Sequence, residues 1–155
     1  MATTGPWLSE DEQRAWRAFL RVQTELNAAL SRQLAESSDL SLADYEILVQ
    51  LSEATDDQLR VTDLARCLDW ERSRVSHQLR RMSERGLIAR RDCPTDGRVG
   101  YVLLTEHGRA ELERAAPGHA AAVRGYLFDD VPGPELAAVR RFLQRTLTRL
   151  ASAQE

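Results

Sequence analysis

Residues 61–105 read VTDLARCLDWERSRVSHQLRRMSERGLIARRDCPTDGRVGYVLLT, and this run decides the architecture. Leu64, Ala65, Leu68, Trp70, Val75, Leu79 and Met82 have the spacing of buried positions on two short helices that meet at a tight turn, a helix-turn-helix. Over about residues 71–84 the second helix sets Val75, Leu79 and Met82 at i, i+4 and i+7 on one face. Ser73, His77, Arg80 and Glu84 fall opposite, flanked by Arg74, Ser76 and Arg81. Gly86 stops this helix, because glycine accepts the left-handed conformation at a helix end. Residues 87–92 and 99–104 have strand composition, and Pro94-Thr95-Asp96-Gly97 between them is turn chemistry, so a hairpin follows. Leu59, Arg60 and Val61 are placed to add a short third strand.

An outer helix face bearing Arg, Ser and His, with little acid in its first two turns, suits the major groove of a duplex. There Arg makes bidentate contacts to guanine, and Ser or imidazole bonds base edges or phosphates. Helices of this kind read bases with their N-terminal half. Ser73, Arg74 and His77 are therefore the candidate base contacts, and Arg72, Ser76 and Arg80 the candidate phosphate contacts. The competing interpretation is a plain solvated arginine face. Arg90, Arg91 and Arg98 surround the hairpin, and an Arg near its tip can enter the minor groove, where the negative potential is strongest. Asp96 is placed either to hold Arg98 as an ion-pair partner or merely to make the turn.

The succession of helix-turn-helix, SERGLIARR, the hairpin tip PTDGR and VLLTEHGRAEL resembles the multiple antibiotic resistance regulator (MarR) family of winged-helix transcription factors. The Asp-x-Arg of that family's wing tip is matched by Asp96 and Arg98. The resemblance covers nearly the whole chain, but only the central stretch is specific. Two positions depart from the helix-turn-helix pattern: Asp69 stands where Gly is usual at the turn, and Glu71 where a Ser or Thr N-cap is usual. Asp69 is an alternative cap, which leaves the start of the second helix open by one or two residues.

The resemblance implies a mainly α fold with a small β-wing, in one domain over residues 1–155. A winged helix-turn-helix (41–104) lies between N- and C-terminal dimerisation helices (9–37 and 105–153). Amphipathic helices at both ends, beyond what a small winged helix needs for its core, also suggest a two-fold interface. The implied partners are double-stranded DNA, a second copy of the chain and a small effector, with no membrane. The implied activity is a homodimeric repressor of an inverted-repeat operator, relieved by the effector. A pocket between the dimerisation helices and the winged helix is expected, with Trp16, Phe19, Tyr45, His119 and Tyr126 as candidate lining and core packing as the competing role of each. Those rings suggest an aromatic ligand.

Composition sets the bounds. The chain has 155 residues and a formal charge of -3, but the charge is divided. Residues 72–98 hold eight Arg against three acids, whereas residues 1–59 hold four Arg against eleven acids. Basic charge thus gathers on the proposed nucleic-acid face, where counterion release supplies affinity. All 21 basic residues are Arg. No apolar run approaches the roughly 18–20 residues that span a bilayer, and the N-terminus lacks a signal pattern, so a cytoplasmic protein is expected. Cys67 and Cys93 form no CxxC or Cys/His cluster, so no metal or cofactor is expected. A redox-sensing regulator using Cys67 or Cys93 is an alternative, as is a winged-helix module that binds protein instead of DNA. His77, His107 and His119 are scattered, and no paired-carboxylate, triad or phosphate-loop motif argues for an enzyme.

Outside the central run, Ser9–Glu12 and Ser41–Asp44 are capping boxes. The first opens a helix to about Ser37 with Trp16, Phe19, Leu20, Gln23, Leu26, Leu30 and Leu34 on its apolar side. The second opens a helix to about Glu53 with Tyr45, Leu48, Val49 and Leu51 on its face. Thr105 caps a helix to about Tyr126 that Pro117-Gly118 must bend or interrupt. Pro134 lies in the first turn of a last helix striped by Leu136, Val139, Phe142, Leu143, Leu147 and Leu150.

Overall fold

Both capping boxes form in the structure, a computed structural model that describes residues 7–92 and 100–153. The Ser9 hydroxyl accepts from the Glu12 N–H, while the Glu12 carboxylate accepts from the Ser9 N–H at 2.7 Å, and α1 (Glu10–Ser37) starts there. Ser41 and Asp44 repeat the arrangement at the head of α2 (Leu42–Glu53). A 3₁₀ turn with Asp56 and Asp57 at positive φ leads to β1 (Gln58–Arg60), one residue earlier than the sequence suggested, because Val61 already begins α3 (Val61–Leu68). The sequence then passes through α4 (Arg72–Glu84), β2 (Ile88–Asp92), β3 (Gly100–Leu104), α5 (Glu106–Leu127) and α6 (Gly133–Ser152). The strands form an antiparallel sheet of order β1-β3-β2, with Leu59 opposite Val102 and Arg90 opposite Val102 on the other side. The tip joining β2 to β3, with Cys93, Asp96 and Arg98, lies outside the described residues.

The described residues fall into two compact units whose boundary, between His119 and Ala120, lies inside α5. In the first unit the expected core residues Leu64, Val75, Leu79 and Met82 are fully buried, together with Leu34, Leu48, Leu51 and Val102. Ile47, absent from the expected face of α2, is also fully buried, whereas Tyr45 and Val49 only pack against the edge of the core. The cause is the position of α2, which touches α1, α3, α4, β1 and β3 and so is enclosed on more than one side. The stripe on α1 is buried only at Leu30 and Leu34; Trp16, Phe19, Leu20 and Val22 are exposed. No residue of α6 is buried within the chain, and Phe142, Leu147 and Leu150 are each more than half exposed. Among the described residues no helix is long and apolar enough to cross a membrane.

Pro117 does not interrupt α5. The ring removes one backbone donor, and the carbonyl it would have served belongs to Glu113, an exposed residue that water can reach. At the other end of α5 the packing is closer. The Thr105 hydroxyl donates to the carbonyls of Gly86 (2.7 Å) and Leu87 (2.9 Å) and accepts from the Gly108 N–H (2.9 Å). Gly108 is buried, and a Cβ there would overlap the Leu87 carbonyl. Gly108→Ala should therefore destabilise the fold by about 2 kcal/mol, within the range for overpacking a buried site, read as a lowered midpoint in urea. Gly133→Ala, which meets nothing within 4 Å, is the control.

Candidate nucleic-acid interface and the cleft beside it

The turn between α3 and α4 is made by Asp69 in the left-handed region (φ 52°, ψ 43°). The Trp70 N–H reaches back to the Ala65 carbonyl at 3.0 Å, and the Asp69 N–H bonds the Arg66 carbonyl. Asp69 thus ends α3 in the conformation glycine commonly supplies, and Asp tolerates it better than most residues. It does not cap α4, as the alternative expectation had it. Glu71 is the N-cap, without a side-chain capping bond, so α4 begins at Arg72. At its far end Gly86 takes φ 71°, with the Leu87 N–H bonded to the Met82 carbonyl and the Gly86 N–H to that of Ser83, the paired bonds of a Schellman ending.

Val75, Gln78, Leu79 and Met82 face inward. Arg72, Ser73, Arg74, Ser76, His77 and Arg80 are all exposed, so the six candidates of this helix share its outer side. Arg74 is held: its guanidinium carbon lies 3.8 Å from the centre of the Trp70 ring, close enough for a cation–π contact. Arg80 approaches His77 Nδ1 at 3.4 Å. On the sheet, Arg90 is exposed, and Arg91 bonds Gln58 Oε1 at 2.7 Å while lying 5.7 Å from the Tyr101 ring centre.

Polar bonds that sequence spacing did not reveal fix α4 in place. The Asp44 side chain is 2% exposed, and Gln78 Nε2 donates to its Oδ1 at 2.5 Å while Arg85 Nη1 donates to its Oδ2 at 2.7 Å. Arg81 donates to the side-chain amide oxygen of Gln78, and a second Arg85 nitrogen donates to the backbone carbonyl of Asp39. Burial pushes the Asp44 carboxyl up, but the Ser41 N–H, the Arg85 guanidinium and the Ser41 hydroxyl together outweigh it and leave it below the ordinary carboxylate range.

Beside α4 lies a cleft of about 420 Å³ whose walls include Tyr45, Glu46, Cys67, Leu68, Trp70 and His119. Of the five residues expected to line a ligand site, the structure brings together Tyr45 and His119, whose ring centres are 4.3 Å apart. Trp16 and Phe19 are not in this cleft; they stack on each other at 6.0 Å on the exposed part of α1. Tyr126 is exposed and belongs to the second unit. Burial pushes His119 toward its neutral form, and its Nδ1 is buried without a hydrogen-bond partner. Burial pushes the Tyr45 hydroxyl and the Glu46 carboxyl up, and the charge of Arg74 draws Glu46 part of the way back. Cys67 is an exposed free thiol.

Comparison with known proteins bears on the family and the fold. The model of the MarR family matches residues 38–99. The chain is similar to AbsC, a MarR family transcriptional regulator from Streptomyces coelicolor, at 36% identity and a TM-score of 0.88, over 96% of this chain and 99% of that one. It is similar to Sco3205, a MarR family regulator from the same organism solved in complex with DNA, at 34% identity and a TM-score of 0.87, over 92% and 90% of the two chains. CouR from Rhodococcus jostii RHA1, solved with p-coumaroyl-CoA bound, is 25% identical with a TM-score of 0.72, over 90% and 94%.

Asp44 gives the site a pH signature. Its folded pKa lies below the unfolded value of about 3.9, so its contribution to stability is complete above that value and is lost as the pH falls through the folded one. Asp44→Ala should cost about 2–3 kcal/mol at neutral pH, the order expected when buried donors lose their acceptor. In urea titrations across pH 2–5 the variant should also lack part of the wild-type acid loss.

Proposed function

The chain belongs to the MarR family of transcriptional regulators, and from that premise we propose that it is a homodimeric repressor that reads an inverted-repeat operator and is released by a small, ring-bearing ligand. The observation that carries this is the outer side of α4, where Arg72, Ser73, Arg74, Ser76, His77 and Arg80 are exposed together on a chain similar to a regulator solved with DNA. In this proposal Ser73, Arg74 and His77 meet base edges, and Arg72, Ser76 and Arg80 meet phosphates. Arg90 and Arg98 of the wing, the latter steadied by Asp96, enter the minor groove. Stacking on Trp70 limits the freedom Arg74 would lose on binding, which lowers the entropic cost of the contact.

Pairing of two chains is supported by apolar surface left uncovered within one. Leu136, Val139, Leu143 and Leu147 line an apolar groove on the second unit, and Trp16, Phe19 and Leu20 are exposed on α1. Surfaces of this kind on a soluble chain mark association sites. Two copies would present two α4 helices to successive major grooves. The ligand is assigned to the cleft at Tyr45 and His119; Trp16, Phe19 and Tyr126 then serve the interface. The complex of CouR with p-coumaroyl-CoA supports a small-molecule effector as a class.

The test is fluorescence anisotropy on duplexes from the region upstream of the chain's own gene. Saturable, salt-steep binding is expected, with Arg74→Ala costing about 1–3 kcal/mol and relaxing preference at one base pair. Arg98→Ala should weaken binding with less change in preference. Sequence-blind binding indifferent to both substitutions would overturn the proposal. Separately, Leu143→Glu with Leu147→Glu should shift sedimentation from dimer to monomer at micromolar concentration, since burying two unpaired carboxylates in an interface is costly.

A further inference from the structure

Trp70 and Glu46 each belong to two places at once. Both are walls of the cleft, and both act on Arg74: the ring lies 3.8 Å from the guanidinium carbon, and the carboxylate feels its charge. An aromatic face beside a carboxylate is the chemistry that captures organic cations, and here an arginine of the proposed reading helix already engages it. Glu46 is the one acid among the residues that line the cleft, and no arginine lines it. Burial holds His119 toward neutrality, so that ring supplies no balancing charge. An anionic ligand would meet Glu46 with no arginine in the lining to balance it, whereas a cation would take over the partial neutralisation that Arg74 now gives Glu46.

We propose that the cleft receives a flat organic cation of the amidine or guanidine class, which competes with Arg74 for Trp70 and Glu46 and so unseats the arginine that α4 presents to DNA. The proposal rests on the assignment of this cleft as the effector site and of α4 as the DNA-reading helix. It adds the charge of the effector and the route of its action. The route is short: Trp70 immediately precedes the N-cap of α4, and Arg74 lies in the first turn. An occupant that moves the ring and neutralises the acid withdraws both supports of Arg74, with no requirement for motion elsewhere. The Tyr45 and His119 rings, 4.3 Å apart in the lining, give the ring of such a ligand an apolar neighbour.

Three probes of nearly one shape separate charge from fit: benzamidine as the cation, benzamide as the neutral form and benzoate as the anion. Calorimetry on the full chain should show benzamidinium bound about tenfold or more tightly than either other probe, the factor a partly desolvated cation–π contact supplies. Glu46→Gln should remove that preference. Arg74→Ala, a change at an exposed position, should strengthen benzamidinium binding several-fold, because the resident competitor is gone. In anisotropy, benzamidinium should weaken wild-type DNA binding and have little effect on the residual binding of Arg74→Ala. Failure of benzamidinium to bind, equal or tighter binding of benzamide or benzoate, or an affinity unchanged by Arg74→Ala each overturns the inference, even where DNA binding stands. If the chain binds no specific DNA, the functional proposal fails and the coupling falls with it; the calorimetric preference still decides whether the cleft is a cation site.

Discussion

A single buried carboxylate holds the winged helix-turn-helix in register. Asp44 completes the capping box of its own helix, and the same group accepts from Gln78 near the middle of α4 and from Arg85 just past its end. Removing a carboxylate from water is costly, and the cost is offset only because each oxygen finds charged or polar donors. Apolar contacts at Val75, Leu79 and Met82 favour burying one side of α4 but tolerate sliding and small rotations. The polar bonds do not, because a rotation by one residue, about 100°, would leave a buried charge without donors. The outer side of α4 therefore inherits its orientation from an interaction on the inner side.

Much of this was legible from residue spacing. The core positions of the two motif helices, both Ser-x-x-acid starts and the Gly86 ending depend on patterns within four or five residues, and they formed as read except that Leu68 and Trp70 are only partly buried. The Asp44 network was not legible, because its partners are 34 and 41 residues away and nothing local distinguishes Gln78 or Arg85 from the polar residues around them. Gln78 stands among exposed arginines in sequence, and only the side it turns inward sets it apart. Asp69 was misjudged for a related reason: composition made it a possible cap, whereas the dihedral angles show a left-handed link that ends the preceding helix. Of the expected ligand residues, Tyr45 and His119 meet in space. Trp16 and Phe19 share the helical period of a core but lie on a part of α1 that the core of one chain does not reach.

The exposed surfaces differ in kind. Arginine is dense along the short helix α4, while α6 and the first half of α1 expose leucine, phenylalanine and tryptophan beside their own arginines. A chain with net negative charge can thus present a locally positive face, since only three of its acids fall within residues 72–98. Cys67 is an exposed thiol in the lining of the cleft, with no neighbouring thiol among the described residues.

The joint at Thr105 also has a mechanical meaning. One hydroxyl fastens the start of a 22-residue helix to the backbone that leaves α4, and the missing side chain at Gly108 lets the helix rest directly on that backbone. There is no slack linker at this fulcrum. Within the first unit, the first turn of α5, the end of β3 and the tail of α4 are therefore clamped into one joint.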